Sequence, residues 1–328
     1  MTMSKTLGRS GIEVSALGMG CWAIGGPLWD AGQAMGWGDV DDEESVRALR
    51  RALELGVTFF DTANVYGAGH SERMIGQAFA GRRDQVVIAT KFGFLADEAT
   101  RQATGADISP AGLRAQLEAS LHRLGTDYVD LYQLHQGNLP VEQALDLVPV
   151  LDDLVKRGSI RAYGWSTDYA DRATAFAQAG AAVTSVQHEF SVFADAPEVL
   201  AVCERFDLAS INRGPLAMGL LTGKYTAASV LADNDIRGDS PEWLAYFSDG
   251  RPAPEFLDGL DAVRETLRSG GRTLAQGALS YLWARSGKTI PIPGCRTVAQ
   301  VEENAGAIAF GPLTKDQVAE IDTLLDRR

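Results

Sequence analysis

Short apolar runs alternate with helical stretches along almost the whole of this chain, and no other feature restricts its fold so strongly. Runs that read as buried strands fall at 16–20, 57–61, 86–91, 128–135, 160–166, about 184–188, about 208–213 and 289–293. Between them, apolar residues recur at helical spacing over about 42–55, 71–80, 169–179, 197–206 and 273–286. The clearest helix has Ser109 to cap it, Pro110 in its first turn, Leu113, Leu117, Leu121 and Leu124 along one face, and Gly125 to stop it. Another follows Pro140 and ends at Gly158, with Leu147, Leu151 and Leu154 on one side. Eight strands joined through helices are the pattern of an α/β fold of the (β/α)8 TIM-barrel type. A short polar pair near Lys5–Leu7 and Glu13–Ser15 predicts an N-terminal β-hairpin, and 297–308 and 315–327 predict extra C-terminal helices. With 328 residues and no break in composition, the chain reads as a single domain over 1–328. The stretch from Met218 to Pro254 has weak periodicity and reads as a long irregular loop, a common place for lids.

Charge and cysteine content narrow the function classes. A net charge of −13 disfavours nucleic acid and anionic membrane as partners, and any anionic cofactor would need local basic groups. Cys21, Cys203 and Cys295 are odd in number and far apart, which argues for a reducing compartment and against a disulfide frame. The start has no signal-like segment and no apolar run approaches ~18 residues, so a cytoplasmic protein is expected. His70, His122 and His188 lie on separate elements without metal-ligand spacing, so no metal is expected. Nothing in the sequence sets the oligomeric state.

Four polar residues stand at or just beyond strand ends: Asp61, Tyr66, Lys91 and His135. In a parallel α/β barrel, catalytic groups gather at the carboxyl ends of the strands. A phenol with a pKa near ~10 is a reluctant acid at neutral pH, but a neighbouring ammonium favours phenolate. Lys91 is expected to lower Tyr66 in this way, with Asp61 fixing the ammonium and His135 orienting a carbonyl oxygen beside the phenol. A fall of ~2 to 3 units corresponds to roughly 3 to 4 kcal/mol. For Asp61 and Lys91 alone, a purely structural ion pair at the barrel rim is the competing reading.

The motifs around these residues carry a resemblance. Phe60-Asp61-Thr62-Ala63-Asn64-Val65-Tyr66-Gly67, Thr90-Lys91 and Asp130-Leu131-Tyr132-Gln133-Leu134-His135 resemble the aldo-keto reductases. Within that family the chain is most similar to the bacterial branch related to potassium-channel β-subunits. Gly214 to Tyr225, and Ile292 to Thr297 through Glu303-Asn304, look like the family's two coenzyme segments. The resemblance implies reduction of a small aldehyde, ketone or sugar-like carbonyl with NADP(H), with Tyr66 as general acid. It leaves open a nicotinamide-binding, redox-sensing regulatory protein on the same fold, or an NAD(P)+-dependent sugar dehydrogenase.

The resemblance also assigns coenzyme contacts. Ser166, Thr167 and Gln187 would grip the nicotinamide carboxamide. Backbone amides around Pro215, Leu216, Gly219 and Leu221, with Lys224, would hold the pyrophosphate. Beyond Gly294, Arg296 and Thr297 would take the 2′-phosphate, and Gln300, Glu303 and Asn304 the adenosine end. Thr297 followed by Gln300 also reads as a capping box that needs no ligand. NADP(H) is preferred on this reading, with NAD(H) the alternative. Where many members carry a stacking tyrosine, this chain has Arg213, which would stack on the ring or pair with the coenzyme or an anionic substrate. Trp22, with Trp29 or Trp37, would wall the substrate pocket, and core packing is the competing role for Trp22.

Overall fold

The computed structural model describes residues 3–239, 241 and 243–327. Eight parallel strands form the expected barrel: β1 (Gly18–Gly20), β2 (Phe59–Asp61), β3 (Val87–Phe92), β4 (Val129–Leu134), β5 (Ile160–Ser166), β6 (Val183–Glu189), β7 (Ala209–Arg213) and β8 (Thr289–Pro291). Each pairs with the next in chain order. The first and last strands meet where Gly20 bridges to Gly294, the Gly20 amide donating to the Pro293 carbonyl at 3.0 Å.

The outer layer holds α1 (Asp42–Glu54), α2 (His70–Ala78), α3 (Pro110–Leu124), α4 (Val148–Arg157), α5 (Ala170–Ala179), α6 (Pro197–Phe206), α7 (Leu274–Arg285) and α8 (Val298–Phe310), followed by α9 (Lys315–Leu324). Local chemistry sets their limits. Ser109 Oγ accepts from the Gly112 amide at 3.0 Å to begin α3, and Gly125 ends it in the left-handed region with φ 65°. The helix expected from Pro140 to Gly158 is divided, because Pro149 cannot continue the ladder across that point. A short turn, Val141–Leu145, therefore precedes α4.

Strand alternation puts one residue set inside the barrel. Phe59, Val87, Ala89, Leu131, Ala162, Ala209, Ile211 and Ile290 fill the interior, and Leu7, Ile12 and Val14 of the N-terminal hairpin plug its lower end. Each fully buried Leu, Ile or Phe contributes ~1.5 to 3 kcal/mol relative to exposure. Further along the same interior face the residues become polar, which makes the upper end of the barrel a site.

Three features lie outside the sequence expectation. A four-stranded sheet sits over the mouth, built from Trp29–Asp30, Gln33–Ala34, Phe94–Asp97 and Gln102–Ala106. A helix, Pro254–Arg268, begins where the irregular loop was expected to end. The loop itself docks across the mouth: the Ile236 amide donates to the Gly36 carbonyl at 2.8 Å, and Arg237 lies 4.5 Å over the Trp37 ring. Among the described residues no helix is long and apolar enough to cross a membrane, and no group of His, Cys, Asp and Glu could hold a metal ion.

Candidate active site

Asp61 ends β2 opposite Ala89 of β3, and Lys91 lies two residues further along β3 on the same face. The pairing brings the Lys91 ammonium to 2.6 Å from Asp61 Oδ1. Both side chains are buried. Lys91 also donates to the Thr62 carbonyl at 2.8 Å and to Tyr66 Oη at 3.0 Å. An ammonium has three N–H donors, and here all three are used. Because Tyr66 Oη accepts from Lys91, its own hydrogen is free to point elsewhere. The second Asp61 oxygen accepts from Gln133 Nε2 at 3.0 Å and Gln187 Nε2 at 2.7 Å, so the buried carboxylate is fully held.

His135 stands immediately beyond β4, its amide donating to the Phe92 carbonyl at 2.9 Å. Its ring meets those of Tyr66 and Phe94 edge-on, with centroids 5.8 and 5.4 Å away. Among the described residues, the buried Nδ1 has no hydrogen-bond partner. Burial, reinforced by the Lys91 and Arg213 cations, holds its pKa well below the ordinary 6.5, so the imidazole is neutral. The four residues read from the sequence therefore converge on one pocket.

The direction of the Tyr66 shift reverses the expectation. Burial pushes the phenol above 10, and the Lys91 charge offsets only part of that effect. Desolvation penalises phenolate more than one ammonium, itself paired with Asp61, can favour it. Lys91 also loses stability from burial, but Asp61 and Tyr66 more than restore it and hold its pKa above the usual lysine value.

Aromatic rings wall the mouth. Trp22 stacks on Tyr66 with centroids 5.8 Å apart and planes inclined by 26°, and Trp37 meets Trp22 edge-on at 5.4 Å. Trp29 instead lies in the sheet over the mouth, paired with Gln102.

The expected coenzyme residues divide into three groups. At the nicotinamide end, Ser166 and Gln187 are adjacent partners at the top of β5 and β6. Gln187 Nε2 is committed to Asp61, which leaves its Oε1 to accept from a carboxamide. Thr167 is buried and donates to the Gly137 carbonyl at 2.8 Å. Arg213 pairs with Asp168 and reaches Glu189 at 3.7 Å.

In the glycine-rich turn, Pro215 has no amide hydrogen, and the Gly219 and Leu221 amides both donate to the Leu216 carbonyl, at 2.9 and 3.1 Å. These particular amides hold the turn and are spent within it. Lys224 is exposed beside the turn, its ammonium 4.9 Å from the Tyr225 ring.

Past β8, Gly294 closes the barrel, and Arg296 donates to the carbonyls of Trp37, at 3.1 Å, and Asp39. Thr297 Oγ1 accepts from the Gln300 amide at 3.3 Å. The expected capping box is incomplete, because Gln300 Oε1 accepts from the Arg296 amide at 2.7 Å. Asn304 is buried with its amide on Cys295 Sγ at 3.1 Å, and the neighbouring Glu303 gives its carbonyl to Gln276.

Two residues given no role in the sequence reading bear on the site. Gln133 holds Asp61, and a signal existed: it is a polar residue two before His135, on the same face of an apolar strand. Glu44, in the first turn of α1, accepts from the Val298 amide at 2.8 Å, and that bond holds its carboxyl below the usual range. No local pattern links residues 254 positions apart.

A family model described as the aldo/keto reductase family matches residues 16–326. Aldo-keto reductase YhdN of Bacillus subtilis is 31% identical over 333 residues, covering 98% of this chain and 93% of that protein. Aldo-keto reductase yakc [NADP(+)] of Schizosaccharomyces pombe is 31% identical, covering 90% and 84%. The solved glycerol dehydrogenase AKR11B4 of Gluconobacter oxydans superposes with a TM-score of 0.81 at 27% identity, covering 98% of this chain and 95% of that one.

Proposed function

The chain belongs to the aldo/keto reductase family, and from that premise we propose that it reduces a small aldehyde, ketone or sugar-like carbonyl using NADPH, with Tyr66 as the proton donor. The observation that carries this reading is the Lys91 ammonium, whose three hydrogens go to Asp61, Thr62 and Tyr66. A nicotinamide coenzyme, when bound, supplies the hydride. The protein's own residues handle the oxygen that becomes an alkoxide.

Neutral His135 offers a ring N–H to the carbonyl oxygen and fixes it beside Tyr66. The phenol, kept protonated by burial, directs its hydrogen at the same oxygen because Lys91 already occupies the lone-pair side. As the proton leaves, the Lys91 charge stabilises the growing phenolate, and Asp61 stays held between Lys91 and two glutamines. The same group is the acid of reduction and, as phenolate, the base of the reverse reaction, so Tyr66 itself does not set the direction. Trp22, Trp37 and Phe94 give the pocket an apolar wall for the substrate's carbon skeleton.

Ser166 and the free Oε1 of Gln187 suit a carboxamide, and the NADP(+) in the name of the fission-yeast relative favours the phosphorylated coenzyme. The test is a panel of aldehydes, ketones and sugars assayed by oxidation of NADPH and NADH, with Tyr66→Phe alongside. Turnover of at least one carbonyl is expected in the parent protein, with a loss of at least ~10²-fold in the variant and little change in coenzyme affinity. Equal turnover in both proteins would remove Tyr66 from the reaction.

A further inference from the structure

The start of α8 carries donors that an anion would use, and the segment from Trp37 to Glu44 has taken two of them, the Val298 amide and the Arg296 guanidinium. The Val298 amide donates to Glu44 Oε1 at 2.8 Å, and the Gln300 amide to Thr297 Oγ1. The Arg296 guanidinium is turned onto the carbonyls of Trp37 and Asp39. The other Glu44 oxygen accepts from Arg47 Nε at 2.9 Å and Nη2 at 2.8 Å, so the carboxylate is held from both sides. Asp41, Asp42 and Glu43 stand beside it in sequence; Asp41 caps α1 and Asp42 pairs with His70. An amide hydrogen cannot serve two acceptors fully, and a carboxylate beside a phosphate adds like-charge repulsion.

Resting on the coenzyme reading above, we propose that Glu44 is an internal anion which a 2′-phosphate must displace from Val298, so that this residue sets how far NADP(H) is favoured over NAD(H). NAD(H) carries only a hydroxyl at that position, so Glu44 can stay in place. The phosphorylated coenzyme has to dislodge Glu44 and turn Arg296 away from the loop carbonyls. Glu44 touches none of Asp61, Tyr66, Lys91 or His135, so its effect belongs to binding rather than to proton transfer.

The experiment is calorimetric titration of the intact protein, Glu44→Gln, Glu44→Ala and Glu43→Gln with NADP+, NAD+, adenosine 2′,5′-bisphosphate and AMP. The Glu43 variant removes the same charge one position away, from a side chain that does not reach Val298. Both Glu44 variants are expected to tighten NADP+ and the bisphosphate by about tenfold, while NAD+, AMP and Glu43→Gln change by less than about twofold. No gain in the Glu44 variants, or an equal gain in Glu43→Gln, would overturn the proposal. Failure of the parent and every variant to bind any coenzyme would overturn the nicotinamide reading itself, and this proposal with it.

Discussion

The carbonyl of Gly25 lies so close to Gly67 that a Cβ on Gly67 would sit 1.7 Å from its oxygen. Gly67 also holds φ at 58°, in the left-handed region. The contact fastens the turn carrying Tyr66 to the turn that follows Trp22, and it leaves no room for a side chain. Gly67→Ala is expected to destabilise the fold by more than about 2 kcal/mol and to lower turnover, because Tyr66 is its neighbour in the chain. Urea unfolding and kcat measured together check this. Unchanged values for both would mean that the two turns separate at no cost.

Lys91 and Asp61 form a buried pair whose partners cannot be removed singly without leaving a charge behind. Lys91→Met should lower stability by ~3 to 5 kcal/mol and activity by at least ~10²-fold. Adding Asp61→Asn removes the stranded carboxylate and should restore much of the stability but none of the activity. Thermal unfolding and steady-state kinetics on the single and double variants separate the two roles. Activity returning with stability would reduce the pair to a structural element.

The pH profile of reduction should be unusually broad. His135 must be neutral, and burial with the Lys91 and Arg213 cations keeps it so well below pH 6.5. Tyr66 must be protonated, and burial keeps it so beyond pH 10. The profile of kcat/KM in the free enzyme should therefore be flat across the neutral range. An acid limb centred near pH 6.5 that disappears in His135→Asn would show an imidazole with ordinary solvation.

His188 makes folding sensitive to acid. It is fully buried, with Nε2 2.7 Å from Ser210 Oγ and Nδ1 3.0 Å from the Glu189 carbonyl, and burial lowers its pKa from 6.5 to about 4. The unfolded chain takes up this proton near pH 6.5, whereas the folded chain refuses it until about pH 4. Its contribution is thus intact above the first value and is lost as the pH falls through the interval, by up to about 3 kcal/mol. Denaturant midpoints across that interval should fall less steeply in His188→Gln than in the parent. Parallel slopes would remove His188 as a source of the acid sensitivity.

The barrel and the strand ends that carry Asp61, Lys91 and His135 were legible from local periodicity, whereas Tyr66 and the grouping of the four were implied by the family resemblance. The run 160–166 is a strand interrupted only by the exposed Arg161, and Asp61, Lys91 and His135 each close an apolar run. Trp29 and Gln102 belong to one small sheet over the mouth, but they meet across the fold and neither segment alternates clearly enough to announce a strand. Pro254, with Leu257, Leu260, Val263 and Leu267 after it, did carry a helical signal, which the polar loop ahead of it obscured. The Tyr66 shift failed for a different reason. Sequence gives the neighbouring charge but not the depth of burial, and the two act in opposite directions.

Asp61 faces Ala89 across one strand pair, and Lys91 faces Gln133 across the next. Slipping β3 by a single residue would turn Lys91 outward into the helix layer, where its ammonium would meet neither carboxylate nor phenol. Chemical competence is therefore an all-or-none property of barrel closure. A chain whose strands have collapsed but not yet found their alignment should therefore be catalytically silent, and the first turnover of a refolding sample should mark the moment at which the strands lock.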